Sequence, residues 1–409
     1  MEIENIDVLI IGAGPSGCVS SAYLNHQGIK VKVVERSKFP RFEIGESLIP
    51  RVMDNLDEVG FIPAIKKAGF ELKTCSRFLR DGVDATFHFD QKFGEGWDWT
   101  WQVPRADFDM ILAEEAQRQG VEIEFQAEVT AIEFNGSDSI TTVRDIQGKE
   151  KQINAKFVID SSGYGRVLPK LLGLDAPSNL TGNSSIFTHT KDVNRPEGVE
   201  GTQITFEVLE REIWFWVIPF SNGITSIGVV GKTELIEALS PTGNADEALR
   251  EAIKRSGHFT ERFVNNEMIF EPQIRKNYAC TVSQQFGEGY ALTGNSSGFL
   301  DPVFSSGVSL ATTSGLLAAK LLARQMNGEK IDWQTDFADY MTEAYEVFST
   351  YVNEWYNGNL QTLFFHRPEN KEVKEKICAV LAGYAWNKEN PFVAKHKKII
   401  SNLAYTINM

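Results

Sequence analysis

The sequence predicts an α/β protein: a domain built on a parallel sheet, a mostly antiparallel sheet inserted into it, and a helical cap at the C-terminal end. Three observations point there. Near the N-terminus an apolar run, Asp7-Val8-Leu9-Ile10-Ile11, leads straight into Gly12-Ala13-Gly14-Pro15-Ser16-Gly17 and then into a helix-forming stretch. Two stretches, roughly 75–103 and 180–275, are rich in alternating strand patterns. Beyond about 330, aromatic residues recur around Phe337, Tyr340, Tyr345, Phe348 and Trp355 in segments of helical character.

A strand covered on both faces loses its polar alternation, so Asp7 to Ile11 reads as a buried parallel strand. In the turn after it, the first glycine permits the tight bend, the second lets backbone N–H groups approach a pyrophosphate, and the third lets the next helix pack closely. That helix is expected to run to about Gln27, where Gly28 ends it. A second strand, Lys30 to Val34, ends in Glu35, where a carboxylate can accept hydrogen bonds from a ribose. Strand, glycine turn, helix and acid together indicate a bound dinucleotide. They do not choose between NAD and FAD.

Later segments make that choice. Pro104-Arg105-Ala106-Asp107-Phe108-Asp109 opens a helix with apolar residues at Phe108, Ile111, Leu112 and Ala116. Phe157-Val158-Ile159-Asp160-Ser161-Ser162-Gly163 is a buried strand running into a polar turn, and Gly289-Tyr290-Ala291-Leu292-Thr293-Gly294-Asn295 has the same form. With the N-terminal fingerprint these resemble the glutathione-reductase-like flavoprotein monooxygenase superfamily. The resemblance implies FAD, with Arg105 near the flavin phosphates and Asp160, Ser161 and Gly163 beside the cofactor. The alternative for Arg105 is a helix-start arginine capped by acids. The second FAD motif usually ends Gly-Asp; Asn295 stands in here, and its amide can hydrogen-bond but adds no charge. Because the cofactor segments are spread along the chain, the expected FAD-binding domain is discontinuous, 1–74, 104–179 and 276–330. A substrate-side sheet domain covers 75–103 and 180–275, and the helical region 331–409. Gly307 onward, with Leu310, Ala311, Leu316, Leu317, Ala318 and Leu321, reads as a helix.

The segment Arg211 to Gly223 places Trp214 and Trp216 two apart, just before Ile218-Pro219. On a strand such residues share a face, while Phe215 and Val217 project oppositely. With both faces apolar, this is a central strand between two layers, and Pro219 marks its end. The plain reading is a bulky core strand. The segment also matches Trp-x-Trp-x-Ile-Pro, the signature of flavin-dependent halogenases, with Glu212 in place of that family's preceding glycine. Phe39-Pro40-Arg41-Phe42-Glu43-Ile44-Gly45-Glu46-Ser47-Leu48 and Asp301-Pro302-Val303-Phe304-Ser305-Ser306-Gly307-Val308 resemble two further segments of the same family. A second Trp-x-Trp, at Trp99 and Trp101, lies in the wrong place for the motif and reads as sheet packing.

This resemblance implies an enzyme that uses reduced FAD, oxygen and chloride or bromide to halogenate an electron-rich ring. The indoles of Trp214 and Trp216 would bar organic substrate from the flavin. Backbone amides of Ser306 and Gly307, at a helix start where N–H groups lack partners, would hold the halide. The resemblance assigns further cofactor contacts to Arg36, Gly45, Glu46, Ser47, Val129, Pro302, Gly307 and Val308. Phe304 stands where halogenases of free tryptophan carry a glutamate. The chain therefore resembles the branch acting on phenolic or pyrrolic groups, often tethered to an acyl carrier protein. In that branch a catalytic lysine follows a Gly-Phe pair, which points to Lys73 after Gly69-Phe70. A lysine in a dry passage can lose enough basicity to act as a nucleophile. The alternatives are a monooxygenase or geranylgeranyl-reductase-like oxidoreductase of the same fold without halogenating activity, and a flavin-binding protein with no turnover.

Composition narrows the partners. A net charge of -14 offers no footprint for gripping nucleic acid. Cys18, Cys75, Cys280 and Cys378 are scattered without metal-ligand spacing, so no metal site is expected, and no apolar run is long enough for a transmembrane segment. A cytoplasmic protein is expected. No second glycine fingerprint for a nicotinamide is present, which implies a separate NAD(P)H-dependent flavin reductase. Lys395-His396-Lys397-Lys398 is the one tight basic cluster that could meet an acidic carrier protein, although such runs are usually solvated helix ends. Isolated histidines such as His88 and His189 read as hydrogen-bonded structural residues.

Overall fold

Val8 and Ile10 belong to one packed cluster and Leu9 and Ile11 to another, because the strand that carries them, Ile3–Ile11, is covered on both faces. This computed structural model describes residues 3–180 and 182–409. Ile3–Ile11 is the centre of a parallel array that runs Tyr290–Leu292, Glu150–Asp160, Ile3–Ile11, Val31–Glu35, Glu122–Phe125. Ile10 pairs in register with Ile159 on one side and Val33 on the other. One face is packed by helices Pro15–His26, Arg105–Arg118 and Gly307–Met326. Apolar residues of the hairpin Ala127–Asn135/Asp138–Asp145 and of helix Val167–Leu172 meet the other face.

The second sheet has seven strands in the order Gln273–Lys276, Asn183–Lys191, Ile224–Lys232, Ile213–Pro219, Thr205–Glu210, Cys75–Arg80, Val83–His88. Its pairings are antiparallel except for Thr205–Glu210 with Cys75–Arg80. Every residue of Ile213–Pro219 is buried. Trp214, Trp216 and Ile218 join the main core; Ile213, Phe215 and Val217 pack into a separate cluster on the far side.

That far side corrects one expectation. Residues 233–263, expected within a strand-rich stretch, form helices Thr233–Glu237, Ala245–Arg255 and Thr260–Phe263. Asn244 caps the longest of them by accepting the Glu247 N–H, and Ala248, Leu249, Ala252 and Ile253 bury one stripe against the sheet. Apolar residues at that spacing follow the helical period, and the charged residues between them stay in water.

The C-terminal region is helical, with Tyr340–Tyr356, Asn359–Phe365, Lys371–Leu381 and His396–Asn408 as its longer elements. A two-stranded ladder, Glu71–Lys73 with Thr100–Gln102, pairs Lys73 with Thr100. Among the described residues no helix is long and apolar enough to cross a membrane.

Candidate functional site

A cleft of about 610 Å³ opens at the carboxyl ends of the parallel strands, the usual place for ligands in such sheets. The glycine turn forms its floor. Gly12 has φ of +101°, and a Cβ there would stand 2.6 Å from the Ser161 carbonyl oxygen, so no other residue fits without displacing the next strand's turn. Glu35 accepts the Ala13 N–H on Oε2 at 3.0 Å and the Ser37 N–H on Oε1 at 2.8 Å. Each carboxylate oxygen keeps acceptor capacity for a hydroxyl.

Gly12, Gly14, Pro15, Ser16, Glu35, Arg36, Gly45, Arg105, Val129, Ser161, Gly163, Asn295, Pro302, Gly307 and Val308 all line this cleft. Arg105 holds Asp109 through both Nε and Nη2, at 2.8 and 2.9 Å, and donates to the Ile44 carbonyl. Ala13, Gly17, Glu46, Ser47, Asp160 and Ser306 do not line it. For Asp160 the reason is plain: its carboxylate is taken by the N–H groups of Ser162 and Leu168, so it shapes the turn beside the cleft instead of facing a ligand. Glu46 is buried against His189, Oε1 to Nε2 at 2.5 Å, and the imidazole is ringed by Phe42, Phe220 and Phe270.

Sequence reading passed over Arg41, Ser162, Tyr164 and Thr293, which also line the cleft. Arg41 sits in the quoted loop, and its guanidinium reaches Asp109 at 3.1 Å, so two arginines of the cleft lining share one buried carboxylate. The place of Arg41 as the one basic residue of that loop was the available signal. Tyr164 carried none.

Lys73 and the two tryptophans stand behind the cleft. Lys73 is 2% exposed, and its Nζ donates to Ser47 Oγ and to the Leu48 carbonyl oxygen, both at 2.7 Å. Burial pulls its amine from the ordinary lysine range down to about 7. Ser305 Oγ donates to the same Ser47 hydroxyl at 3.1 Å, which ties the amine to the loop entering helix Gly307–Met326. No side chain caps that helix start, so its first N–H groups are available to an anion. Trp214 and Trp216, 1% and 4% exposed, lie with ring centroids 6.1 Å apart. Trp216 donates to Ser226 Oγ and packs on Phe187, which stacks in turn on Phe42 of the cleft wall. Gly228 leaves room for the Trp216 ring, because a Cβ there would fall 2.4 Å from it. In the basic cluster, Lys397 is paired with Glu346 at 2.8 Å and His396 is bonded to Thr350, which leaves less free charge than the sequence promised.

Residues 5–347 match the FAD binding domain family. The 1H-pyrrole-2-carbonyl peptidyl-carrier-protein brominase of Pseudoalteromonas luteoviolacea is 27% identical over 95% of this chain and 94% of its own. The corresponding chlorinase of Pseudomonas fluorescens is 29% identical over 98% of this chain and 94% of its own. The crystal structure of a flavoprotein/dehydrogenase from Cytophaga hutchinsonii superposes with a TM-score of 0.97 at 48% identity over 99% of both chains. This protein belongs to the FAD binding domain family, in the group that contains the flavin-dependent halogenases, and is an FAD-dependent oxidoreductase.

Proposed function

We propose that the protein uses FAD, oxygen and chloride or bromide to halogenate a phenolic or pyrrolic ring, presented by an acyl carrier protein. The observation that carries this is the amine of Lys73, buried and joined through one serine hydroxyl to the loop before helix Gly307–Met326. The cleft fits FAD in kind: a glycine turn under a helix start, an acid at the end of the second strand, and arginines in its lining. Gly12, Gly14, Pro15 and Ser16 would hold the pyrophosphate, Glu35 the ribose, and Arg36, Arg105, Val129 and Asn295 the rest of the cofactor. Bound reduced FAD supplies the electrons that activate oxygen.

The chain's own residues do the rest. The amides of Ser306 and Gly307 hold the halide. Trp214 and Trp216 keep the organic ring away from the cleft, so that only a small oxidised halogen species travels. With its basicity lowered to about 7, Lys73 is substantially neutral at physiological pH. It takes the halogen from hypohalous acid as an N-halo amine, releasing water, and passes it to the ring, which loses a proton. Ser47 and the Leu48 carbonyl aim the nitrogen. A separate NAD(P)H-dependent flavin reductase supplies the reduced cofactor, and four unpaired thiols suit a cytoplasmic setting.

A second reading has its own support. The Cytophaga protein, 48% identical, is described as a flavoprotein/dehydrogenase, and Glu212 departs from the halogenase signature. One experiment separates them. FAD-loaded protein, reduced without oxygen, is mixed with oxygen and bromide over a panel of phenols and a carrier-bound pyrrole carboxylate. Brominated product that requires bromide supports halogenation. Turnover that ignores halide overturns it.

A further inference from the structure

Asp301 is wholly buried at the entrance to the halide loop, and its carboxylate gathers four donors from four parts of the chain. Oδ1 accepts the Val303 N–H at 3.0 Å. Oδ2 accepts from Asn183 Nδ2 at 3.0 Å, the Tyr278 hydroxyl at 2.8 Å and the Tyr356 hydroxyl at 3.1 Å. The Tyr356 oxygen in turn accepts the indole N–H of Trp214 at 3.1 Å. Burial is the larger effect and raises the carboxyl's affinity for a proton; the four donors oppose it without reversing it.

The chain of bonds therefore runs from one indole of the wall, through the last residue of helix Tyr340–Tyr356, to the loop before the halide amides. The same helix end is anchored a second time. Trp355 packs on Phe304 of that loop and on Phe78 of the sheet, with centroids 6.0 and 5.4 Å apart. Trp216 has no share in this, since its N–H is satisfied by Ser226 inside the sheet. In a dry interior each of these bonds is costly to leave unmade, so the elements move together or not at all.

We propose that Tyr356 and Asp301 are positioning residues that couple the halide loop to the indole of Trp214, so that one buried carboxylate sets both the anion site and the wall. The proposal rests on the halogenase reading for the meaning of the loop, but its bonds can be tested without turnover.

The test uses the full-length, FAD-loaded, oxidised protein and Tyr356→Phe, which keeps the ring and removes one hydroxyl. Ultraviolet resonance Raman spectra report hydrogen bonding at indole N–H, and a Trp214→Phe difference spectrum assigns the band. The Trp214 band should move to the position of an unbonded indole. The bromide Kd, from titration of tryptophan emission, should rise about 3- to 10-fold, the range of one lost buried hydrogen bond, with FAD affinity unchanged. Tyr278→Phe, which shares Oδ2 but does not accept the Trp214 N–H, should weaken bromide while leaving the band in place. An unmoved band, or an unchanged bromide Kd in both variants, overturns the coupling. Absence of halogenated product from the wild type overturns the halogenase reading, and the Raman comparison decides the bond network regardless.

Discussion

The Nζ of Lys73 lies 2.7 Å from the Oγ of Ser47, and that hydroxyl also accepts from Ser305, so a buried amine and the loop before a helix start share one oxygen. The arrangement gives the lysine a fixed direction and low basicity. The direction follows from the two hydrogen bonds and the basicity from burial, and both are testable.

Lys73→Ala should lower halogenated product per turnover by about 100-fold or more, the scale of losing a positioned nucleophile, while FAD content and oxygen uptake persist. Lys73→Arg should not rescue it, since a guanidinium stays charged. In the wild type the single-turnover yield should rise with pH through about 7, where the amine loses its proton. Full product from the alanine variant, or a flat profile across neutrality, contradicts the assignment.

Burial of the same group sets a stability effect. Its folded-state pKa, about 7, lies below the ordinary 10.5, so between those values the unfolded chain binds the extra proton and stability rises with pH. Below about 7 both states are protonated and the penalty is complete, at most about 5 kcal/mol from the size of the shift. Lys73→Met should therefore raise Tm most under mildly acidic conditions, with the advantage fading as pH approaches 10.5. A gain in Tm that does not depend on pH counts against it.

Gly228 faces the Trp216 ring so closely that Gly228→Ala must move the indole. The expected cost is about 1–3 kcal/mol in chemical unfolding, accompanied by oxygenated aromatic product that the wild type does not form. If the protein loses stability but stays free of such product, the indole is packing and not a wall.

At the cofactor cleft, Glu35→Gln keeps the shape and weakens the acceptor, so FAD affinity should fall about 10-fold by equilibrium dialysis. Gly12→Ala combines a positive φ with a clash against the Ser161 carbonyl, and should yield protein purified without flavin. Retention of stoichiometric FAD by Gly12→Ala would place the pyrophosphate elsewhere.

Much of this molecule is written in short-range signals. Val8 to Ile11 announces a strand covered on both faces because it has no polar alternation, and Gly12 announces its turn because few other residues accept that φ. The alternation of Trp214 and Trp216 with Phe215 and Val217 likewise names two packed faces. The reading faltered where a broad strand assignment covered a local helical signal. Residues 233–263 contain three helices, and the spacing of Ala248, Leu249, Ala252 and Ile253 behind the cap Asn244 follows the helical period. It was silent where partners come from distant segments: Glu46 meets His189, Arg41 meets Asp109, and Tyr356 meets Asp301.

What the sequence determined by itself is therefore the local backbone: which stretches are strands, where the chain must turn, and which residue types stand at a dinucleotide's usual contacts. Those properties depend on dihedral preference and on periods of two or 3.6 residues, which a few neighbours settle. The tertiary structure alone decided that Lys73 is dry, that Ser47 is its partner, and that Asp301 joins an indole to a helix start. Desolvation and hydrogen bonding are sums over atoms brought together from segments tens to hundreds of residues apart, so no local window contains them.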